Sequence, residues 1–145
     1  MPLVNTLIIG ADHGGYDHKK AIVSWLGENE PLIAVHDIGT HTRDSIDYPV
    51  IAQKTVEAIN DEFTHGILVC GSGIGMSMVA NRHPGIRAAV VTDPTSALLA
   101  RAHNNANVLC LGARITTVLI ATAIIRAWLL TAFDGGRHLN RIQQF

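Results

Sequence analysis

Residues 66–76, GILVCGSGIGM, restrict this chain more than any other stretch. An apolar run the length of one buried strand, Gly66-Ile67-Leu68-Val69-Cys70, passes directly into three glycines at alternate positions, Gly71, Gly73 and Gly75, and then into a run of helical character. Glycine opens backbone conformations closed to other residues and lets N–H groups come close to a ligand. A strand leading through such a turn into a helix aims several donors and the positive end of a helix dipole at one spot, which suits an anion. Into that spot the sequence places a thiol, Cys70, and a hydroxyl, Ser72. A cysteine beside a helix N-terminus can have its pKa lowered toward neutrality, which supplies a thiolate as base or nucleophile. Two readings stand side by side: an active-site cysteine beside an oxyanion or phosphate nest, and a buried strand cysteine before a packing turn.

The rest of the chain repeats the strand–turn–helix theme. Leu7 to Gly10 reads as a strand ending in the polar turn Ala11-Asp12-His13-Gly14-Gly15, and Ala21, Ile22, Trp25 and Leu26 follow at helical spacing until Gly27. Leu32 to Ile38 reads as a second strand, and Pro49 starts a helix carrying Val50, Ile51, Val56, Ala58 and Ile59. Beyond the glycine turn, a short helix runs through Met78 and Val79 to Asn81, and Ile86 to Thr92 reads as a fourth buried strand ending at Asp93-Pro94. A helix from Thr95 to His103-Asn104 precedes a fifth strand, Val108 to Leu111. Thr116 or Thr117 then caps a long apolar helix reaching about Ala132, and Gly135-Gly136 leads into a short basic segment.

Strict alternation with nearly continuous apolar strands predicts an α/β chain: a three-layer α/β/α, Rossmann-like, five-stranded parallel sheet in a single domain spanning residues 1–145. Ligands of such sheets bind outside the carboxyl ends of the strands. Asp12-His13, Asp47-Tyr48, Cys70 to Gly75, Asp93 and Arg114 all follow strands, so one sheet edge collects them.

Composition narrows the partners. The net charge of −1 gives no basis for binding nucleic acid or an anionic membrane. The apolar run from Val118 to Ile125 is too short to span a bilayer, and MPLVNTLIIGAD lacks the basic start of a secretory signal. Cys70 and Cys110 show no CxxC or metal-ligand spacing and read as free thiols of a cytoplasmic protein. None of the eight histidines falls in HExxH-type or finger spacing, so no metal site is expected. His18, His36, His41, His65 and His83 read as surface or loop residues. His103 beside Asn104 is either a helix-terminal pair or a catalytic one. Arg137 and Arg141, four apart, share a helix face that either grips a phosphate or is simply solvated. The glycine turn alone also fits a dinucleotide-binding domain, with Asp93 about twenty residues on in its favour. Met76 stands against it, in place of the third glycine of GxGxxG.

Taken together, Gly10 to Gly15, Asp47-Tyr48-Pro49, Ile67 to Gly75, Gly85 to Ala88, Ala100 to Asn104, Asn107 to Leu109, and Gly135 to His138 with Arg141 resemble the type B family of ribose-5-phosphate isomerases, related to galactose-6-phosphate isomerase subunits. The ordered set covers nearly the whole chain. The resemblance implies a cofactor-free aldose–ketose isomerase that moves a proton between C2 and C1 of a sugar phosphate through a cis-enediolate. By resemblance Cys70 is the proton-transferring base; some relatives use a glutamate at the position of Met76. Ser72 keeps the hydroxyl of the relatives' threonine. Backbone N–H groups of Gly71, Ser72, Gly73, Ile74 and Gly75, with Asn104, would stabilise the enediolate, each donor being worth ~3 kcal/mol of barrier. His103 would open the sugar ring, and Asp12 would bind the sugar hydroxyls. His13, Arg137 and Arg141 would hold the phosphate, with Arg114 as a further contact and Tyr48 lining the pocket.

The family assembles its site between two subunits, which implies a homodimer or tetramer in which the tail from about residue 135 reaches a neighbouring pocket. With only four residues after Arg141, that tail is expected to be loosely held. The expected substrates are ribose 5-phosphate and ribulose 5-phosphate, with a six-carbon phosphate of allose or galactose as the alternative.

Overall fold

The alternation read from the sequence is realised in the computed structural model, which describes residues 1–145. Strands β1 (Thr6–Ala11), β2 (Ala34–Gly39), β3 (His65–Cys70), β4 (Ala88–Val90) and β5 (Val108–Gly112) alternate with helices α1 (Tyr16–Asn29), α2 (Tyr48–Glu57), α3 (Ile74–Ala80), α4 (Pro94–Asn104), α5 (Val118–Leu130) and α6 (Arg137–Ile142). All strand pairs are parallel, in the order β2-β1-β3-β5-β4.

Side chains alternate across a strand, and the sheet therefore builds a core on each face. Leu7, Ile9, Ala11, Ile67, Val69, Leu109 and Leu111 point toward α1, α4 and α5, where Trp128 is fully buried. Leu68, Cys70, Val108 and Cys110 point the other way, toward Ile51 and Val56 of α2 and Met76 and Ala80 of α3. This is the expected three-layer arrangement. Both cysteines face the smaller core, and no helix is long and apolar enough to cross a membrane.

Three central strands are as apolar and buried as the sequence indicates; the two edges are not. The fourth strand, expected as a buried run from Ile86 to Thr92, shrinks to Ala88–Val90 and is half-buried, because only β5 flanks it. Its free edge is closed by a side chain. Asn81 accepts from the Ala88 N–H at 2.8 Å and donates to the Ala88 carbonyl at 2.9 Å, in place of a neighbouring strand. On the other edge, Leu32 and Ile33 precede β2, and Leu32 is exposed. Helix α1 continues past Gly27 to Asn29. Behind β2, Lys19 is buried and pairs with both carboxylate oxygens of Asp37, at 2.7 and 2.6 Å. Such pairing is what a buried ammonium requires.

Several histidines expected on the surface are partly buried. The Nε2 of His18 donates to the Thr116 carbonyl at 2.7 Å, and His83 is half-buried. His65 opens β3 edge-on to Trp128, with ring centroids 5.5 Å apart. Burial, then Arg101 and Arg87, lower its pKa from 6.5 to about 4. The unfolded chain thus binds a proton at His65 that the native chain rejects between those values, and stability falls as pH drops through that window. A urea series from pH 7 to pH 4 is expected to show this loss, reduced in His65→Phe; equal slopes for the two proteins would contradict it.

Candidate active site

The connection from β1 leads to β2 on one side, while the connections beyond β3 lead to β4 and β5 on the other. The carboxyl ends of the adjacent strands β1 and β3 therefore form a topological switch point, where open α/β sheets bind ligands. A cavity of about 390 Å³ opens there. Cys70, the last residue of β3, lies on its floor, only 5% exposed but reached by the cavity.

The glycine turn wraps the sulfur. Gly73 sits at φ +80°, a left-handed conformation that favours glycine, and from there its N–H donates to the Cys70 Sγ at 3.1 Å. An anionic sulfur accepts such a bond more strongly than a thiol. The Ile74 N–H donates to the Ser72 Oγ at 3.3 Å. The turn is also strapped to the exit of β5, where Ala113 N–H donates to the Cys70 carbonyl at 2.8 Å and Arg114 N–H to the Gly71 carbonyl at 2.9 Å. Cys110, one strand over, differs sharply. It is fully buried, and burial, then the neighbouring Cys70, push its thiol far up, so it stays protonated packing.

Polar groups ring the opening. Asp12 caps a short 3-10 turn over His13–Gly15, its Oδ1 accepting from the Gly15 N–H at 3.1 Å, and its side chain borders the cavity. His13 is exposed, with the N–H and carbonyl of Ile46 at 3.1 and 3.2 Å from its Nδ1. Neutral His13 accepts from the one and protonated His13 donates to the other, so the ring is tethered in either state and Nε2 is left for a ligand. The Tyr48 ring lies so close over Gly75 that a Cβ there would stand 2.6 Å from it. The Arg114 guanidinium lies over Gly71, and Gly14 and Ile115 complete the lining. Gly14 belongs to the polar turn that follows the first strand, whereas Ile115 carries no signal in the sequence, because an exposed apolar residue after a strand is ordinary.

His103, Asn104, Arg137 and Arg141 are elsewhere in the same chain. Helix α4 starts at the carboxyl edge after β4 and runs back, so its last residues, His103 and Asn104, lie at the amino edge where β5 begins. Asn104 borders a separate hollow with Phe145 and β4. The tail is not a loose arm: α6 folds onto α4 of its own chain, and His138 stacks on His103 with centroids 4.3 Å apart and planes 8° from parallel. His103, Asp134 and His138 bring donor atoms within 4.8 Å of one another. Imidazole lone pairs lie in the ring plane, so two parallel stacked rings do not converge on one ion. Asp93, the residue that favoured a dinucleotide, is occupied as the cap of α4, accepting from the Ser96 N–H and hydroxyl, both at 2.8 Å.

A Rossmann-like sheet with a cysteine in a glycine cradle at its switch point, ringed by a carboxylate, a histidine and an arginine, defines a small-molecule site suited to anionic substrates and proton transfer. The sequence model described as Ribose/Galactose Isomerase matches residues 7–145, and the chain belongs to that family. It is 41% identical over 138 residues to ribose-5-phosphate isomerase B of Escherichia coli (strain K12), covering 94% of this chain and 91% of that protein. Among solved structures, a ribose-5-phosphate isomerase B of Clostridium thermocellum superposes with a TM-score of 0.92 at 43% identity, over 96% of this chain and 93% of that one. A type B ribose 5-phosphate isomerase of Trypanosoma brucei gives a TM-score of 0.92 at 41% identity, over 98% and 97% of the two chains.

Proposed function

We propose that this chain interconverts ribose 5-phosphate and ribulose 5-phosphate in the cytoplasm, without a cofactor, using Cys70 as base at a site shared by two copies of the chain. The observation that carries the chemistry is the Cys70 sulfur on the floor of a polar cavity, with the Gly73 N–H directed at it. The names of the relatives supply the substrate class. Two unbridged thiols fit a reducing compartment.

The thiolate takes the proton from C2 of the open-chain aldose, leaving a cis-enediolate. The N–H groups of the glycine turn stabilise its negative oxygen. The thiol returns the proton to C1, while the C2 hydroxyl proton passes to O1, and the ketose results. Asp12 and Ser72 hold the sugar hydroxyls and Tyr48 bounds the pocket. His13 and Arg114 meet the phosphate, joined by Arg137 and Arg141. The ring-opening His103 and the enediolate donor Asn104 lie at the opposite sheet edge from Cys70, so they serve the cavity of a second copy, together with the two tail arginines. Exposed Leu98 and Leu99 on α4 and Leu119 and Ile120 on α5 give a second copy apolar surface to cover. With α6 packed on α4, histidine and arginines enter the partner as one unit.

A coupled assay with pentose and hexose phosphates, with no metal or nucleotide added, tests the substrate. Turnover of ribose 5-phosphate well above that of allose or galactose 6-phosphate is expected, and the reverse ranking would contradict the pentose reading. Arg137→Ala is expected to raise KM by about ten- to hundredfold with kcat much less affected, as loss of a charge-assisted phosphate contact predicts. Unchanged inhibition by inorganic phosphate would remove Arg137 from the clamp.

A further inference from the structure

The tail carries more than phosphate-binding arginines. Gly135 and Gly136, both at positive φ, turn the chain after α5 so that α6 comes back across the end of α4. The Asp134 N–H donates to the Ala102 carbonyl at 2.9 Å, pinning the turn beside His103. From that anchor the Asp134 carboxylate reaches 3.9 Å from the His103 Nε2, and one turn further on His138 lays its ring flat on His103. A side chain at a helix end, 42% exposed, is thus covered on one ring face and has a carboxylate near one ring nitrogen.

We propose that Asp134 and His138 are positioning residues for His103, His138 fixing the plane of its imidazole and the Asp134 carboxylate drawing the Nε2 edge of the ring to one side, so that the imidazole delivers a proton to the ring oxygen of the bound furanose. The inference rests on the reading of His103 as the ring-opening group. The charges around the stack agree with it. His138 faces His103 of α4, Arg137 and Arg141 of its own helix, and Asp134 of the turn. Desolvation first, then His103 and the two arginines, lower its pKa against the opposing pull of Asp134. A neutral His138 can lie flat on His103 when His103 is protonated, where a second cation would be expelled.

Ring opening and proton transfer at carbon can be measured apart. Ribulose 5-phosphate has its C5 hydroxyl esterified, so it cannot close a furanose, and exchange of its C1 proton with solvent needs only the base and the enediolate cradle. The test compares His138→Ala, His138→Phe and Asp134→Asn with wild type for turnover of ribose 5-phosphate and for loss of the C1 proton signal of ribulose 5-phosphate in D2O. His138→Ala and Asp134→Asn are expected to lower kcat for ribose 5-phosphate by roughly ten- to hundredfold, the scale of a misaligned catalytic group, with KM and C1 exchange near wild type. His138→Phe, which keeps a flat ring against His103, is expected to recover most of the loss.

The inference is overturned by kcat at the wild-type level in His138→Ala and Asp134→Asn, by a rise in KM with kcat preserved, or by an equal fall in turnover and exchange. His103→Ala tells the two readings apart. If it leaves ribose 5-phosphate turnover intact, the ring-opening role itself is wrong. If it lowers turnover and spares exchange while His138→Ala and Asp134→Asn do nothing, only the positioning role fails.

Discussion

Cys70→Ala is expected to lower kcat for ribose 5-phosphate by about 10⁴-fold, the upper end of what a positioned general base contributes, because no second base stands in the turn. Met76, at the end of the turn, is fully buried in the smaller core and unable to take a proton. The fold should survive the change. Cys70 belongs to the cluster with Leu68 and Met76, and removing its single sulfur forfeits about 1 kcal/mol of burial. Thermal unfolding close to wild type and retained inhibition by inorganic phosphate would accompany the loss of turnover. Steady-state rates near wild type would show that the proton goes to another group.

Gly112→Ala is expected to have the second-largest effect, through geometry alone. Gly112 ends β5 directly behind the glycine turn, and a Cβ there would stand 2.7 Å from the backbone carbon, Cα and oxygen of Ser72. Those atoms are main chain and cannot swing aside, so the turn that carries Ser72 and β5 must shift relative to each other. Overpacking of this kind costs about 1–3 kcal/mol of stability. A displacement near 1 Å in a catalytic constellation costs on the order of a hundredfold in rate. Gly27→Ala is the matched control: it lies inside α1 with nothing within 4 Å of an added Cβ, and alanine there should stabilise the helix by about 0.5–1 kcal/mol. If Gly112→Ala kept full activity, the cradle would not depend on the close approach of β5.

The sheet was readable because central strands buried on both faces are apolar throughout: Ile67 to Cys70 and Val108 to Leu111 stand where their patterns put them. The edges were not, since an edge strand is half solvated and its limits depend on tertiary partners. The Asn81 side chain that closes β4 lies outside the strand it completes. The gathering of Asp12, His13, Tyr48, Cys70 and Arg114 around one cavity at the sheet's carboxyl edge was also legible, because residues that follow strands must lie there. By the same rule, His103 and Asn104, which precede a strand, belong at the opposite edge. The packing of α6 on α4 was not legible. It depends on two glycines at positive φ and on a backbone hydrogen bond from Asp134, and neither leaves a distinctive pattern. His65 failed as a surface residue for a related reason: a histidine opening a strand looks solvent-facing until Trp128, far along the chain, closes over it.

That each cavity draws its cysteine from one copy and its histidine from another is most directly tested by complementation. Cys70→Ala and His103→Ala chains, each depleted in activity alone, are unfolded, mixed in equal amounts and refolded together. Random pairing makes half the dimers mixed, and each mixed dimer holds one cavity with both groups intact, so about a quarter of wild-type turnover of ribose 5-phosphate should return. Recovery no greater than the sum of the two separate variants would contradict a site divided between chains and would require both residues to act within one.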